Sequence, residues 1–267
     1  MNIMYQETYD KKKWDDSSSD DKADDDIKKF IIVINNNNFK PEFLYLNLQK
    51  FIDSKDYSSY KKFQSFFIDI IYRTPTIYLN SLTFETPWMR IVEPIIVAGN
   101  PEFNDNRKFF IELSFLEEDV DIVQFKSIMK NIDNFTTNFL LKYKDPDILS
   151  IKNVNEIYSQ NIKKSILNDK QCYEYIKTKI DLDDDNIQID VNNQKYNGEI
   201  KDLQIQNTYA KCWISTQGLW RYGNKCSYTW KINKIMIVDS AKNSVAPSQS
   251  IEMNESETIP NCDLSDF

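Results

Sequence analysis

The chain has 267 residues and a mass of 31.7 kDa, room for one large domain or two small ones. It is 41% hydrophobic and 13% aromatic, enough to bury a core. It contains no histidine, which removes the commonest general base, the His-dependent nucleophile pairs and most catalytic zinc sites. Its four glycines are scattered, which excludes a glycine-rich phosphate loop or dinucleotide turn.

The net charge of −8 is unevenly placed. Residues 1–26 carry nine acids and four lysines, and residues 241–267 carry five acids and one lysine. Together the two ends account for −9, so residues 27–240 sum to about +1. An acidic average therefore does not exclude a polyanionic ligand. The N-terminus lacks the apolar stretch of a signal peptide, and no run approaches the ~18 apolar residues of a membrane span. The four cysteines lack metal spacing and fit no disulfide framework. These features predict an intracellular protein with reduced thiols and no membrane contact.

In chain order, residues 1–26 are acidic, low in complexity and poor in apolar side chains, which predicts disorder. A strand is expected over 30–34, and residues 43–52 are ambiguous between strand and helix. Further strands are expected over 66–72, 76–84, 88–97 and 109–115, with Pro94 demoting the third to an edge or bulge. From 119 to 143, Phe125, Ile128, Ile132, Phe135 and Phe139 recur at helical spacing. Acids stand at the start of this helix and lysines at its end, as the helix dipole prefers. A second helix is expected over 156–167 with Asn155 as its cap. Strands then return over 173–180, behind the Asp183-Asp184-Asp185-Asn186 turn, and over 209–216. Residues 219–222 and 226–238 form hairpin arms around Gly223-Asn224-Lys225. Residues 241–267 are polar and are expected to form an unfolded tail. Many short strands with one inserted helix suit a small barrel or a sandwich.

The segment 209–230, YAKCWISTQGLWRYGNKCSYTW, is the most informative. It holds six aromatics, and residues 201–240 carry six basic residues against two acids. Bases stack on aromatic faces at about 1–3 kcal/mol each while cations line the phosphate track. On the strand 209–216, Tyr209, Lys211, Trp213 and Ser215 share one face and Ala210, Cys212 and Ile214 the other. By the same alternation Tyr228 and Trp230 are core candidates. Trp88 and Arg90 share a face of their own strand. The competing explanation for each aromatic is core packing, and for each cation a solvated surface. The aspartate clusters at 24–26 and 183–185 read as solvated loops.

Several blocks resemble, in order, the single-stranded DNA-binding proteins of large nucleocytoplasmic DNA viruses and, more distantly, those of short-tailed phages. They are Thr86-Pro87-Trp88-Met89-Arg90, the strand RKFFIELSF at 107–115, YIKTKI at 175–180, the closing hairpin at 220–238 and the acidic end at Asp266-Phe267. The resemblance implies a mainly β fold with one long inserted helix, an OB-type barrel spanning 27–240 with the helical insertion at about 119–168. It implies a non-catalytic protein without cofactor or metal that coats unwound single-stranded DNA in replication, recombination or repair. It implies a tail that recruits polymerase, helicase or primase, and a location in the host cytoplasm or nucleus. Homo-oligomerisation stays open. The expected stacking residues are Trp88, Trp213, Trp220 and Tyr222. The expected phosphate ligands are Arg90, Lys211, Arg221, Lys225 and Lys231. Asp263, Asp266 and Phe267 are expected to dock on partners. Glu93-Pro94 replaces the family's usual glycine, residues 145–170 are rich in Asn and Lys, and the acidic N-terminal arm is extra. The alternative from another class is a β-rich protein–protein adaptor or virion structural protein.

Overall fold

The computed structural model describes residues 5–6, 31–47, 65–98, 108–142, 154–167, 171–180, 187–223 and 225–238. The strands in chain order are β1 (Tyr5–Gln6), β2 (Ile31–Ile32), β3 (Leu44–Leu46), β4 (Ser65–Arg73), β5 (Tyr78–Leu79), β6 (Leu82–Glu85), β7 (Met89–Arg90), β8 (Ile96–Ala98) and β9 (Lys108–Ser114). Helix α1 (Val120–Lys142) and the single turn α2 (Val154–Ile157) follow. The remaining strands are β10 (Ile162–Leu167), β11 (Gln171–Ile180), β12 (Gln188–Val191), β13 (Gln194–Lys195), β14 (Tyr209–Thr216), β15 (Gly218–Tyr222), β16 (Lys225–Tyr228) and β17 (Trp230–Val238).

Five strand positions close on themselves. β9 pairs antiparallel with β11, β11 runs parallel to β17, and β17 pairs antiparallel with β14. β14 pairs antiparallel with β6 and then β7. The circuit returns to β9 through the bridge between Ile91 and Leu113 and through the Ser114 hydroxyl, which donates to the Arg90 carbonyl at 2.8 Å. Counting the β6–β7 segment as one strand, this is a five-stranded barrel of OB type. Alternation fills its interior: Phe84, Met89, Ile91, Ile111, Leu113, Ile176, Ile180, Ile214, Trp230, Ile232 and Ile235 are buried. The interruption between β6 and β7 falls at Thr86-Pro87. The Thr86 hydroxyl oxygen there accepts the Cys212 N–H at 2.9 Å, so this donor is satisfied where the ladder is interrupted.

Helix α1 lies in the connection between β9 and β11, and its start is capped by Asp119, whose side chain accepts the Asp121 N–H at 2.8 Å. Phe125, Ile128, Met129, Ile132 and Leu140 are buried, while Phe135 and Phe139 pack at the margin of the core. The helix is pinned by polar contacts as well. Asp133 is buried and accepts from the Tyr158 hydroxyl at 2.6 Å, the Asn161 N–H at 3.0 Å and Asn161 Nδ2 at 2.8 Å. Asn161 Oδ1 in turn accepts the Trp230 indole N–H at 2.8 Å. Burial pushes the Asp133 carboxyl above its ordinary range, and these donors offset part of that shift.

A second sheet has the order β16-β15-β4-β3, with β5 also on β4. Gly218 lies where a Cβ would run into the Ile68 carbonyl and the Phe67 ring, so β15 and β4 approach as closely as glycine permits. Gly223 takes a positive φ of 56° in the turn between β15 and β16, the position the sequence marked as a hairpin.

Three expectations change. Residues 162–167 form β10, paired over six residues with β11, so the second helix shrinks to the turn α2. Tyr5–Gln6, inside the arm expected to be disordered, pairs with Ile31–Ile32; the rest of residues 1–26 lies outside the described residues. Cys172 is disulfide-bonded, against the expectation of reduced thiols; it is exposed, whereas the free Cys212 and Cys226 are buried. No helix among the described residues is long and apolar enough to cross a membrane.

Replacing Asp133 by Ala leaves the Tyr158 hydroxyl and two Asn161 donors without their acceptor inside the protein. The expected loss is about 3 kcal/mol of unfolding free energy in urea titration, with Asp133→Asn losing less because it keeps one acceptor oxygen. Equal stability of wild type and Asp133→Ala would contradict the pin.

Candidate nucleic-acid interface

The outside of the barrel begins on β14. Its burial alternates strictly: Ala210, Cys212, Ile214 and Thr216 are buried, and Tyr209, Lys211, Trp213 and Ser215 face outward, half-exposed. Trp213 pairs with Lys234 on one side and Glu85 on the other. Lys234 Nζ sits over the Trp213 ring, 5.0 Å from its centroid, and 3.8 Å from an Asp190 carboxylate oxygen. Lys211 is ion-paired with Glu85. Trp88, 39% exposed, and Arg90 face outward on either side of the buried Met89. Arg90 pairs with Tyr209 across the ladder and donates to Asn207 Oδ1 at 3.2 Å. The Tyr209 hydroxyl donates to Glu117 at 3.2 Å, and burial pushes both the Glu117 carboxyl and the Tyr209 hydroxyl up. The register of β17 against β14 shifts between Trp213 and Ile214, leaving Asn233 as the extra residue, hydrogen-bonded to Ser215.

The same outer face continues across β17, β11 and β9. Ser215 pairs with Lys231, Lys231 with Lys179, and Lys179 with Phe110. One rung therefore joins four strands. Beside it, Lys177 Nζ lies 4.8 Å from the centroid of the Phe110 ring, and Tyr175 stands two residues further along β11. Glu112 sits opposite Lys177, buried and hydrogen-bonded with Tyr175. Burial raises the Glu112 carboxyl above its ordinary value; Lys177 counters the shift, and Glu93 adds to it. Burial, with Glu112 next in weight, pushes the Tyr175 hydroxyl up to about 12. Phe110, Tyr175, Lys177 and Lys179 were not among the expected site residues. They lie in the blocks at 107–115 and 175–180 that carried the resemblance, but which of those side chains face outward is defined only once β9 and β11 are paired.

The expected residues thus fall on two surfaces. Trp88, Arg90, Lys211, Trp213 and Lys231 lie on the barrel. Trp220, Tyr222 and Lys225 lie on the second sheet, where Tyr222 and Lys225 are exposed and the Trp220 indole N–H donates to the Thr229 hydroxyl at 2.9 Å. Arg221 is a correction. It is buried at 5% exposure because alternation along β15 turns it inward with Leu219; its Nε donates to the Gly223 carbonyl at 2.9 Å. It therefore presents no guanidinium to a surface phosphate. Tyr228 and Trp230 are buried, as their alternation predicted. Asp263, Asp266 and Phe267 lie outside the described residues, as do both aspartate clusters. Among the described residues no group of His, Cys, Asp or Glu is arranged to hold a metal ion.

Fold and surface together define an OB-type barrel whose outer face interleaves aromatic and cationic side chains. No protein-family model and no curated protein matches the chain. Among solved structures it is similar to gp2.5, a single-stranded DNA binding protein encoded by bacteriophage T7, at 11% identity and a TM-score of 0.43. That match covers 63% of this chain and 98% of gp2.5.

The Glu112 shift has a testable sign. Its folded pKa lies above the unfolded one, so the ionised carboxylate costs stability at higher pH, and that cost disappears as pH falls through the folded value towards the unfolded one. Lowering the pH through this window should raise the wild-type urea midpoint relative to that of Glu112→Gln. Parallel midpoint curves would refute the shift.

Proposed function

We propose that this protein binds single-stranded DNA without sequence preference and without catalysis, through the outer face of its barrel. The observation that carries this reading is the rung Phe110–Lys179–Lys231–Ser215 with Trp213, Tyr175 and Lys177 beside it. Aromatic rings accept any base by stacking, and ammonium groups accept any phosphate. Trp88, Trp213, Phe110 and Tyr175 serve as stacking surfaces, and Arg90, Lys177, Lys179, Lys211 and Lys231 neutralise phosphates. In the same reading the protein coats unwound strands at intracellular sites of viral DNA replication, recombination or repair. The acidic tail, with Asp263, Asp266 and Phe267, recruits polymerase, helicase or primase and competes with DNA for the cationic face.

Two lysines of this face are held by carboxylates of the same chain: Lys211 by Glu85 and Lys234 by Asp190. Binding DNA exchanges these partners for phosphates, and salt weakens the complex. Anisotropy titration of labelled oligo-dT should give a log–log salt slope of about −0.7 per phosphate contact. Lys179→Gln/Lys231→Gln should flatten that slope by about 1.4. Trp213→Ala should weaken binding by about tenfold at constant salt, in line with one lost stacked base. A protein that binds neither oligo-dT nor duplex at low salt would sink the reading and leave the protein–protein adaptor in its place. Deleting residues 251–267 should tighten oligo-dT binding and abolish partner binding; unchanged DNA affinity would refute self-competition.

A further inference from the structure

The second sheet carries exposed rings that the barrel face does not use. β4 runs through it with Phe67, Asp69 and Arg73 on its outer side, where Ile71, between Asp69 and Arg73, is buried. On one edge of β4, β15 sets Trp220 opposite Phe67 and Tyr222 two residues along, and β5 sets Tyr78 opposite Arg73. On the other edge, β3 sets Tyr45 opposite Ile71. Phe67, Tyr45, Tyr78 and Tyr222 are 46%, 54%, 57% and 70% exposed. From Phe67 to Arg73 the strip extends about 20 Å along the strand.

These rings are not there to fill a core. The inner side of the sheet is already packed by Leu44, Leu46, Ile68, Ile70, Leu219 and Tyr228, all buried. Two of the outer rings also have defined neighbours. The Phe67 ring leans over Gly218, which has no side chain to lift it away, and the Trp220 indole is tied to Thr229. Rings fixed in advance lose little freedom when a flat ligand stacks on them. Charge complements the rings. Lys225 is exposed at the Tyr222 end of the strip, and Arg73 is exposed at the Tyr78 end. Flat rings between two cations suit bases joined by phosphates better than an aliphatic protein core. The strip is also continuous with the barrel face: β15 leaves β14 after Thr216, and β16 leads into β17 through Thr229. β14 and β17 are the strands that carry Trp213 and Lys231.

We propose that this strip is a second single-stranded DNA platform, on which bases of the strand already held by the barrel face stack against Phe67, Trp220, Tyr222, Tyr45 and Tyr78. The proposal rests on the barrel-face reading and lengthens the site. It assigns Phe67, Tyr45 and Tyr78, which belong to the N-terminal layer outside the barrel.

The test uses the full chain with dT oligomers of increasing length. Wild-type affinity should rise beyond the length that saturates the barrel face. The variant Tyr45→Ser/Phe67→Ser/Tyr78→Ser/Tyr222→Ser, altered only at exposed positions, should keep wild-type affinity for short oligomers. It should lose about tenfold or more on long ones and show a smaller occluded site on poly-dT. The barrel variant Trp213→Ala/Lys179→Gln/Lys231→Gln should instead lose affinity for short oligomers. Wild-type site size and long-oligomer affinity in the four-serine variant would overturn the second platform while leaving the barrel reading intact. A dimer in sedimentation velocity that the four-serine variant dissociates, with DNA binding unchanged, would overturn it in favour of self-association. Wild-type protein that binds no oligomer would overturn both readings together.

Discussion

The parallel pairing of β11 with β17 is the contact on which the outer face depends. It joins segments about fifty residues apart and sets Thr178 against Trp230, Lys179 against Lys231 and Ile180 against Ile232. The inner members of these pairs are buried, and the Thr178 hydroxyl donates to the Ile111 carbonyl at 3.0 Å, so β9, β11 and β17 lock in one register. A slip of β17 by one residue would turn Lys231 into the barrel and Trp230 out of it, and a slip of β11 would do the same to Lys179 and Thr178. Burial therefore enforces the placement of the cations, although they contribute nothing to the core themselves.

The helix between β9 and β11 supports that register from the end of the barrel. Its buried Asp133 reaches Trp230 through Asn161, so the residue that begins β17 is held by an indole hydrogen bond as well as by packing. Phe84 contributes from the β6 side, its ring centroid 6.0 Å from that of Trp230. An apolar contact alone would tolerate rotation of this large side chain. The directional bond fixes it, and a charged acceptor chain inside the protein is stable only because each of its donors is present.

Legibility in the sequence followed locality. The alternation of β14 and the helical spacing of α1 were readable because each is decided within one element. The burial of Tyr228 and Trp230 followed from the same period of two. Arg221 had the same information available, since Leu219 and Arg221 must share a face, but its charge suggested a surface place that the strand parity denies it. β10 was not readable as a strand. Its apolar residues Ile162 and Ile166 fit a helical spacing as well as a strand's, and six paired residues against β11 decide the matter. The Phe110–Lys179–Lys231 rung was illegible for a deeper reason: its members come from three strands, and only tertiary pairing brings them side by side.

The carboxylates on the outer face bear on what such a surface can select. A surface ion pair is worth about 0–1 kcal/mol, and although these two are partly buried, replacing Glu85 by a phosphate on Lys211, or Asp190 by a phosphate on Lys234, exchanges one anion for another with little change in direct Coulomb energy. A single small anion gains nothing by the exchange. A polyanion brings many phosphates at once, releases its condensed counterions and adds stacking on Trp213, Phe110 and Tyr175. Under the proposed function, the internal acids would raise the threshold for isolated anions while a flexible strand with exposed bases would still pass it. A duplex, whose bases are already stacked on one another, supplies the phosphates but not the stacking. Under the proposed function, the rings would favour a single strand, and the acids beside Lys211 and Lys234 would keep charge alone from sufficing.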